Sequence, residues 1–241
     1  MAESYAMRIP QPTSLRRLSG AAAAAIVLSA ARSVLADGFD LRVNDVSGLD
    51  EPWPLVAGLP FPEGALRDAS AIRIVGADGA EVPAQVDAVA TWRDGSLQWA
   101  LAGFTARPQA AFRVEYGLGV RRMEPPVPLR IEQASDGPLT VNTGAAVFTF
   151  RPGRLLPDRA AMGTAVVLDG AGAGAYLVDN RGREARVVGA AAEVESDVVL
   201  AGPARAVIRR AGWYVTETGE RLARAEAWFY FAAGCPSLRI T

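Results

Sequence analysis

The sequence contains no histidine and no lysine, and its only cysteine is Cys235. The absence of histidine excludes a catalytic histidine and a histidine metal ligand. The absence of lysine excludes a Schiff-base lysine and the lysine of a phosphate-binding P-loop. One cysteine forms neither an internal disulfide nor a zinc-binding cysteine cluster. All 25 basic residues are therefore arginines, and catalysis in this chain would depend on tyrosine, carboxylate and arginine side chains.

The chain also lacks a strong excess of either charge, with 25 basic and 26 acidic residues. Half of its 241 residues are apolar, which is typical of a globular protein and too high for a disordered one. This length suits one large domain or two small ones. A chain of this size hides roughly 70% of its unfolded surface on folding, so it needs no disulfide or metal to be stable.

The first 36 residues have the pattern of an export signal. Arg8, Arg16 and Arg17 make the start basic, and an apolar run follows at positions 21–31. At about 1.5 Å per residue this run reaches roughly 16 Å, half of a bilayer core of about 30 Å. Small or medium-sized residues at 34–36 fit a cleavage site after Ala36. We predict a signal peptide at residues 1–36; an ordinary alanine-rich helix is the alternative.

The signal pattern predicts an exported protein, periplasmic or extracellular, with no membrane segment in its mature form. Arg16 and Arg17 fit a twin-arginine signal, but Ser19 and Gly20 are poor matches for the apolar residues expected next. The Sec and twin-arginine routes therefore both stay open. From residue 37 onward there are 21 arginines against 25 acidic residues, a balance that does not attract nucleic acid.

The mature sequence predicts strands throughout, giving an all-β protein after the N-terminal signal helix. Short alternating apolar runs are separated by Gly, Pro, Asn and Asp, and no segment keeps a helical period over ten residues. A proline-rich stretch at 121–128 is typical of a stiff linker. We predict a small N-terminal β-barrel at 37–122 and a β-sandwich at 129–241. The chain ends on a strand pattern, so we expect an incomplete sandwich that a further C-terminal domain or a partner chain completes.

A hairpin is predicted around Asp94 and Gly95, the pair preferred in a two-residue type I′ turn. This turn places Trp92 opposite Leu97 and Ala90 opposite Trp99, so that apolar side chains meet on one face. The register puts Trp92 on the buried face.

A second hairpin is predicted from residues 205–215 and 221–231. Its second strand is apolar on both faces, with Trp228 and Tyr230 on one of them. Strands of this kind are usually covered on both sides, so these two residues are the predicted interface with another sheet, domain or chain. Arg209 and Arg210 are expected on a solvated strand edge.

Three segments carry a resemblance to a known family. Their sequences are GLPFPEGAL at 58–66, DGAEVPAQ at 78–85 and WRDGSLQW at 92–99. Together they resemble the N-terminal barrel of the exo-rhamnogalacturonan lyase-like (YetA-like) family. Residues 202–206 and 229–231 are more weakly similar to the start of that family's central sandwich. The resemblance implies a RIFT-type N-terminal β-barrel, a central β-sandwich and a helical toroid, with the chemistry expected on the toroid, which this sequence does not contain.

The resemblance implies that the chain is the non-catalytic N-terminal portion of an exported polysaccharide lyase-like protein that degrades pectin or rhamnogalacturonan. The alternative is a free-standing exported β-domain that binds glycan or a protein partner. No catalytic residue, cofactor or metal ligand is carried over. A lyase would need a tyrosine or carboxylate base beside arginine, and no such pairing stands out in the sequence.

Binding of an acidic polysaccharide needs aromatic faces for sugar rings and polar groups for hydroxyls and carboxylates. The candidate residues are Trp53, Trp92, Arg93 and Asp94. The hairpin register favours a core position for Trp92, and the turn favours a structural role for Asp94. Trp53 lies between two prolines, so core packing explains it least.

Overall fold

The computed structural model describes residues 36–44, 51–107, 111–170 and 174–241. In chain order the strands are β1 Asp37–Arg42, β2 Trp53–Pro60, β3 Ile72–Gly76, β4 Glu81–Val82, β5 Ala84–Thr91, β6 Leu97–Ala106, β7 Ala111–Tyr116, β8 Arg130–Gln133, β9 Leu139–Asn142, β10 Val147–Phe150, β11 Arg159–Met162, β12 Ala165–Asp169, β13 Tyr176–Val178, β14 Glu184–Arg186, β15 Glu195–Ala201, β16 Arg205–Thr216, β17 Arg221–Ala232 and β18 Arg239–Ile240. Two short 3₁₀ turns span Ala69–Ala71 and Ala190–Ala192. The predicted all-β class is confirmed.

The predicted signal peptide lies outside the described residues, apart from Ala36. Within the described part of the chain, no helix has the length and apolar character needed to cross a membrane.

The first seven strands enclose one apolar core. Strands β1, β7, β3 and β4 form one sheet in that order, and β2, β6 and β5 form a second. Alternation along β3 places one face of the strand in this core. Ile72 and Ile74 are fully buried, whereas Arg73 between them forms an ion pair with Glu115, with 2.7 Å between Nη2 and Oε2. The two sheets share the buried cluster, so the predicted N-terminal β-barrel is confirmed.

The hairpin between β5 and β6 differs from its predicted form. The Trp92 N–H donates to the Ser96 carbonyl at 2.8 Å, and the Gly95 N–H donates to the Trp92 carbonyl at 3.0 Å. Gly95 has a φ of 80°, whereas Asp94 keeps a negative φ. The loop therefore has three residues, 93–95, with glycine in the left-handed position. The predicted two-residue type I′ turn is wrong, and Trp92 faces Ser96 rather than Leu97.

Irregular pairing in this hairpin also changes which side chains point inward. The predicted Ala90–Trp99 pair is confirmed, but the register shifts on both sides of Ala90. Leu97 is buried, while Trp99 is 45% exposed on the outer face. Beyond Trp99 the inward residues are Ala100, Ala102 and Phe104. A bulge reverses the alternation, which a periodic pattern alone does not reveal.

The later strands form two further sheets that share a second core. One has the order β12-β11-β10-β9-β8; the other has the order β13-β14-β16-β17-β18, with β15 also paired to β16. Phe150 of β10 meets Phe229 of β17 at 4.9 Å between ring centroids, and Phe148 meets Phe231 at 5.5 Å. These edge-to-face and tilted aromatic pairs join the two sheets.

The predicted second hairpin is confirmed as β16 and β17. Phe229 and Phe231 are buried on the inner face, and Trp228 and Tyr230 are half-buried on the other. Strand β18 pairs with β17 through Tyr230 and Arg239.

Arg210 does not lie on a solvated strand edge, and that expectation is wrong. Strand β16 is paired on both sides, with β15 and β17, so it is an interior strand. Arg210 points into the structure and is only 3% exposed. Its neighbour Arg209 points outward and forms ion pairs with acidic residues that include Asp197 and Glu226.

Residues Ala36–Thr241 form one compact unit that contains both apolar clusters. The Arg205 N–H donates to Gln85 Oε1 of β5 at 3.0 Å, which links the barrel to the start of β16. The proline-rich stretch is held in place as well, because Arg122 donates to the carbonyls of Ala69 and Ile72 at 2.9 and 3.0 Å. The domain boundaries at 122 and 129 stay a prediction.

Candidate functional site

A groove of about 390 Å³ lies where the barrel meets β16, β17 and β18. The side chains that give it its chemistry are Trp53, Val56, Arg205, Tyr230, Ser237 and Arg239. They come from β2, the start of β16, β17 and the C-terminal segment that includes β18. The groove thus unites Trp53, a predicted glycan contact, with Tyr230, a predicted interface residue.

One wall is formed by β2, an edge strand of its three-stranded sheet that pairs with β6 and with no other strand of the described residues. Trp53 is the first residue of this strand and is 48% exposed, and Val56 is 56% exposed. Proline before and after Trp53 is acceptable here because an edge strand does not need every backbone N–H for pairing. The result is an aromatic face presented to the groove.

The opposite wall is formed by the paired strands β17 and β18. Their register places Arg239 directly across from Tyr230. The Arg239 guanidinium carbon lies 5.8 Å from the centroid of the Tyr230 ring, within the range of a cation–π contact. This contact holds a cation in the groove lining, to which Ser237 also belongs.

Arg205 lies between the two walls. A Cβ at position 103 would be only 3.1 Å from Arg205 Cδ, so Gly103 of β6 provides the space for this side chain. Within the described residues, Arg205 Nε is buried and has no hydrogen-bond partner. The guanidinium therefore retains a donor that is not used by the protein.

The groove suits an anionic or hydroxyl-bearing ligand with flat apolar faces. None of its described lining residues is an aspartate or glutamate, so its arginines are not neutralised from within the groove. Aromatic rings pack against sugar rings, and arginine binds carboxylates. The groove also places a tyrosine beside arginine, a pairing that the sequence did not reveal.

The other predicted contacts, Trp92, Arg93 and Asp94, lie at the opposite end of β6. Trp53 pairs with Ala106 at one end, whereas Trp92 lies across from Ser96 just beyond the other. Since a strand rises about 3.3 Å per residue, roughly 30 Å separates the two groups. The structure therefore does not bring Trp53 together with these three residues.

The hairpin residues have structural partners of their own. The Trp92 indole N–H donates to the Phe61 carbonyl at 3.0 Å. Asp94 Oδ1 accepts hydrogen bonds from the Ser96 N–H at 2.9 Å and the Ser96 hydroxyl at 2.5 Å. These bonds, together with the Arg67 guanidinium, hold the pKa of Asp94 below its usual value. Arg93 is exposed at the loop tip, and glycan binding by these residues stays a prediction.

Trp228 lies outside the groove. It is half-buried, and its indole N–H donates to Glu226 Oε1 at 2.8 Å. Sequence reasoning missed Arg205, Ser237 and Arg239. Only the register of β17 with β18 places Arg239 on Tyr230, and no local sequence signal encodes that pairing.

Comparison with known families identifies the barrel part of the described fold. Residues 49–118 match the family model of the PcRGLX-like N-terminal RIFT barrel domain. The match confirms the resemblance to the rhamnogalacturonan lyase-like family and covers β2 to β7, including the Trp53 wall. No curated protein matches the chain.

Proposed function

We propose that this chain, which carries a PcRGLX-like RIFT barrel domain at residues 49–118, is the non-catalytic N-terminal portion of an exported polysaccharide lyase-like protein and holds its acidic glycan. The observation that carries the proposal is the groove in which Trp53 of the barrel faces Tyr230 and Arg239 of the second sheet pair. Export follows from the signal pattern of residues 1–36.

The groove supports glycan holding by its chemistry. The exposed Trp53 ring offers a face for one sugar ring, and Tyr230 offers a second aromatic surface across the groove. Arg205 and Arg239 provide cations for the carboxylate of a uronic acid. A pectic chain, which carries both sugar faces and carboxylates, matches this combination.

The non-catalytic assignment rests on the family resemblance, which places the chemistry on a helical toroid, although the groove does hold Tyr230 beside Arg239. Eliminative cleavage of a uronate needs a base beside the carboxylate and a cation for the developing enolate. The groove provides cations but neither a carboxylate nor a histidine. Tyr230 is its one candidate base, and its ring carries the Arg239 guanidinium.

Binding is tested by titrating the full chain with pectic oligosaccharides and following heat or tryptophan fluorescence. We expect Trp53→Ala to weaken binding about tenfold, or ~1.4 kcal/mol, because a stacking face is lost. Trp99→Ala is the matched control, since Trp99 is similarly exposed, 45% against 48%, and lies outside the groove. Equal affinities of the two variants would contradict the proposed groove.

Catalysis is tested separately by following the absorbance of the unsaturated product. We expect no product from this chain. Product formation that disappears in Tyr230→Phe would overturn the non-catalytic role. Reading the coding sequence beyond codon 241 distinguishes the proposal from the free-standing binding domain, because only the former requires a catalytic domain downstream.

A further inference from the structure

A second cavity, of about 440 Å³, lies beside the β8–β9 turn and shares no lining residue with the groove. The side chains that determine its chemistry are Gln133, Ser135, Asp136, Phe150, Ser196 and Arg210. Arg210 is the unusual member, because it is a charged side chain that is 97% buried in this wall.

Arg210 is poorly partnered for a buried arginine. Its Nη1 lies 3.4 Å from the Ser196 hydroxyl, and its Nη2 donates to the Arg151 carbonyl at 3.2 Å. Its Nε has no partner within the described residues. A guanidinium carries five N–H donors, so these two long contacts leave most of its hydrogen-bonding capacity unused.

No carboxylate compensates the charge of Arg210 at contact distance in the described part of the chain. Asp158 is the carboxylate whose charge raises the pKa of Arg210. However, Asp158 is committed to Arg151, whose side chain forms an ion pair with it and whose backbone N–H donates to it at 3.2 Å. The ion pair of Arg151 with Asp158 is thus complete without Arg210.

Burial raises the free-energy penalty of leaving Arg210 without an anionic partner. Burial lowers the pKa of Arg210 to about 10, so it remains a cation at neutral pH while losing hydration. The Phe150 ring, whose centroid lies 5.3 Å from the guanidinium carbon, offsets part of that loss. Buried charges are normally paired, and a buried cation that borders a cavity is best explained by an anion that enters the cavity.

We propose that this cavity binds a compact carboxylate that also carries hydroxyl groups. Arg210 offers unused donors to the carboxylate, and the Ser196 hydroxyl lies beside it. Asp136 and Gln133 in the same wall accept hydrogen bonds from hydroxyls. The Asp136 carboxylate repels an anion that has no hydrogen-bond donors, such as a simple oxyanion. The ligand should therefore carry hydroxyl groups as well as a carboxylate. This site stands independently of the glycan groove and of the function proposed for it.

The test measures the thermal stability of the full chain with D-galacturonate, D-galactose or sulfate as the probe. A ligand at about 100 times its Kd raises the Tm of a protein of this size by about 5 °C or more. We expect this shift with D-galacturonate and not with D-galactose, which has the hydroxyls but no carboxylate. An absent shift with D-galacturonate, or an equal shift with D-galactose or with sulfate, would overturn the proposal.

Variants assign the shift to Arg210. Arg210→Met removes the uncompensated charge, so we expect the Tm without ligand to stay the same or rise. We also expect this variant to lose the rise in Tm with D-galacturonate. Arg210→Lys keeps the charge without the planar fork and should weaken binding about tenfold. Arg209→Lys, on the outer face of the same strand, should respond as the wild type does.

Two results with these variants would contradict a ligand site at Arg210. Loss of the shift in Trp53→Ala would place the ligand in the groove instead. If Arg210→Met does not fold, Arg210→Lys decides: a shift and an affinity equal to those of the wild type would show that Arg210 does not bind the ligand.

Discussion

At the scale of single residues, the charged side chains of this protein fall into those with a full set of hydrogen-bond partners and those without one. Asp94 is satisfied locally, because Ser96 donates to it through both its backbone and its hydroxyl. Arg210 and Arg205 each bury an Nε without a partner among the described residues. Satisfied groups explain loop geometry, whereas the two arginines with an unsatisfied Nε lie in the walls of the two cavities for which we propose ligands.

Asp94 gives a prediction about stability at acidic pH. Its pKa in the folded protein lies below 3.8, chiefly because of the Ser96 hydroxyl. The charged form is therefore favoured by folding, and its contribution is complete above pH 3.8 and lost as the pH falls through the folded-state pKa. We expect Asp94→Asn to lower the Tm at neutral pH, with the difference from the wild type shrinking at lower pH.

The measurement is a series of thermal melts from pH 7 down to pH 2. Glu63→Gln removes another exposed carboxylate from a nearby loop and serves as the control, with a small difference throughout. A gap between Asp94→Asn and the wild type that widens as the pH falls would contradict the assignment.

At the scale of elements, pairing was predictable where the sequence pattern is long and regular. Strands β16 and β17 are each twelve residues long, and their hairpin follows from alternation and a Thr-Gly turn. The turn of the β5–β6 hairpin was not predictable from Asp94 and Gly95, because that pair fits both two- and three-residue loops. A distant segment makes the choice: Gly64 donates to the Ser96 hydroxyl at 2.8 Å.

The candidate site was predictable only in part for the same reason. The exposure of Trp53 follows from its flanking prolines, and the face of Tyr230 follows from alternation along β17. Their meeting in one groove depends on how β16 joins the barrel, and the position of Arg239 depends on how the chain turns back at residues 233–238. These are long-range contacts, and local sequence patterns do not specify them.

The loop of the β5–β6 hairpin gives a prediction at this scale. Gly95 has a φ of 80°, and a Cβ there would lie 3.1 Å from Arg67 Nη1. A side chain in the left-handed region costs about 1 kcal/mol or more, so Gly95→Ala should lower the Tm by a few degrees. Gly58→Ala is the control, because its Cβ would make an ordinary 3.5 Å contact with Trp99. Equal melting temperatures for the two variants would contradict the three-residue loop.

At the scale of the whole molecule, the barrel is joined to the start of β16 by a close contact between a barrel side chain and the backbone at residues 202–205. Gln85 of the barrel is 6% exposed and accepts the Arg205 N–H. Gly202 lies against it so closely that a Cβ at position 202 would overlap Gln85 Oε1. The Leu129 N–H donates to the Pro203 carbonyl at 2.8 Å in the same region. Arg205 also lines the groove, so we expect the groove width to depend on these contacts.

Gly202→Ala tests whether the junction sets both stability and groove geometry. The added methyl group displaces Gln85 and leaves the Arg205 N–H without its acceptor, a loss of about 1–3 kcal/mol. We expect a Tm lower by several degrees, a broadened or divided calorimetric transition as the two clusters uncouple, and weaker oligosaccharide binding. Gly174→Ala, where a Cβ would meet nothing within 4 Å, should leave all three unchanged. If Gly202→Ala lowers the Tm but binds oligosaccharide as tightly as the wild type, the groove walls keep their spacing without this contact.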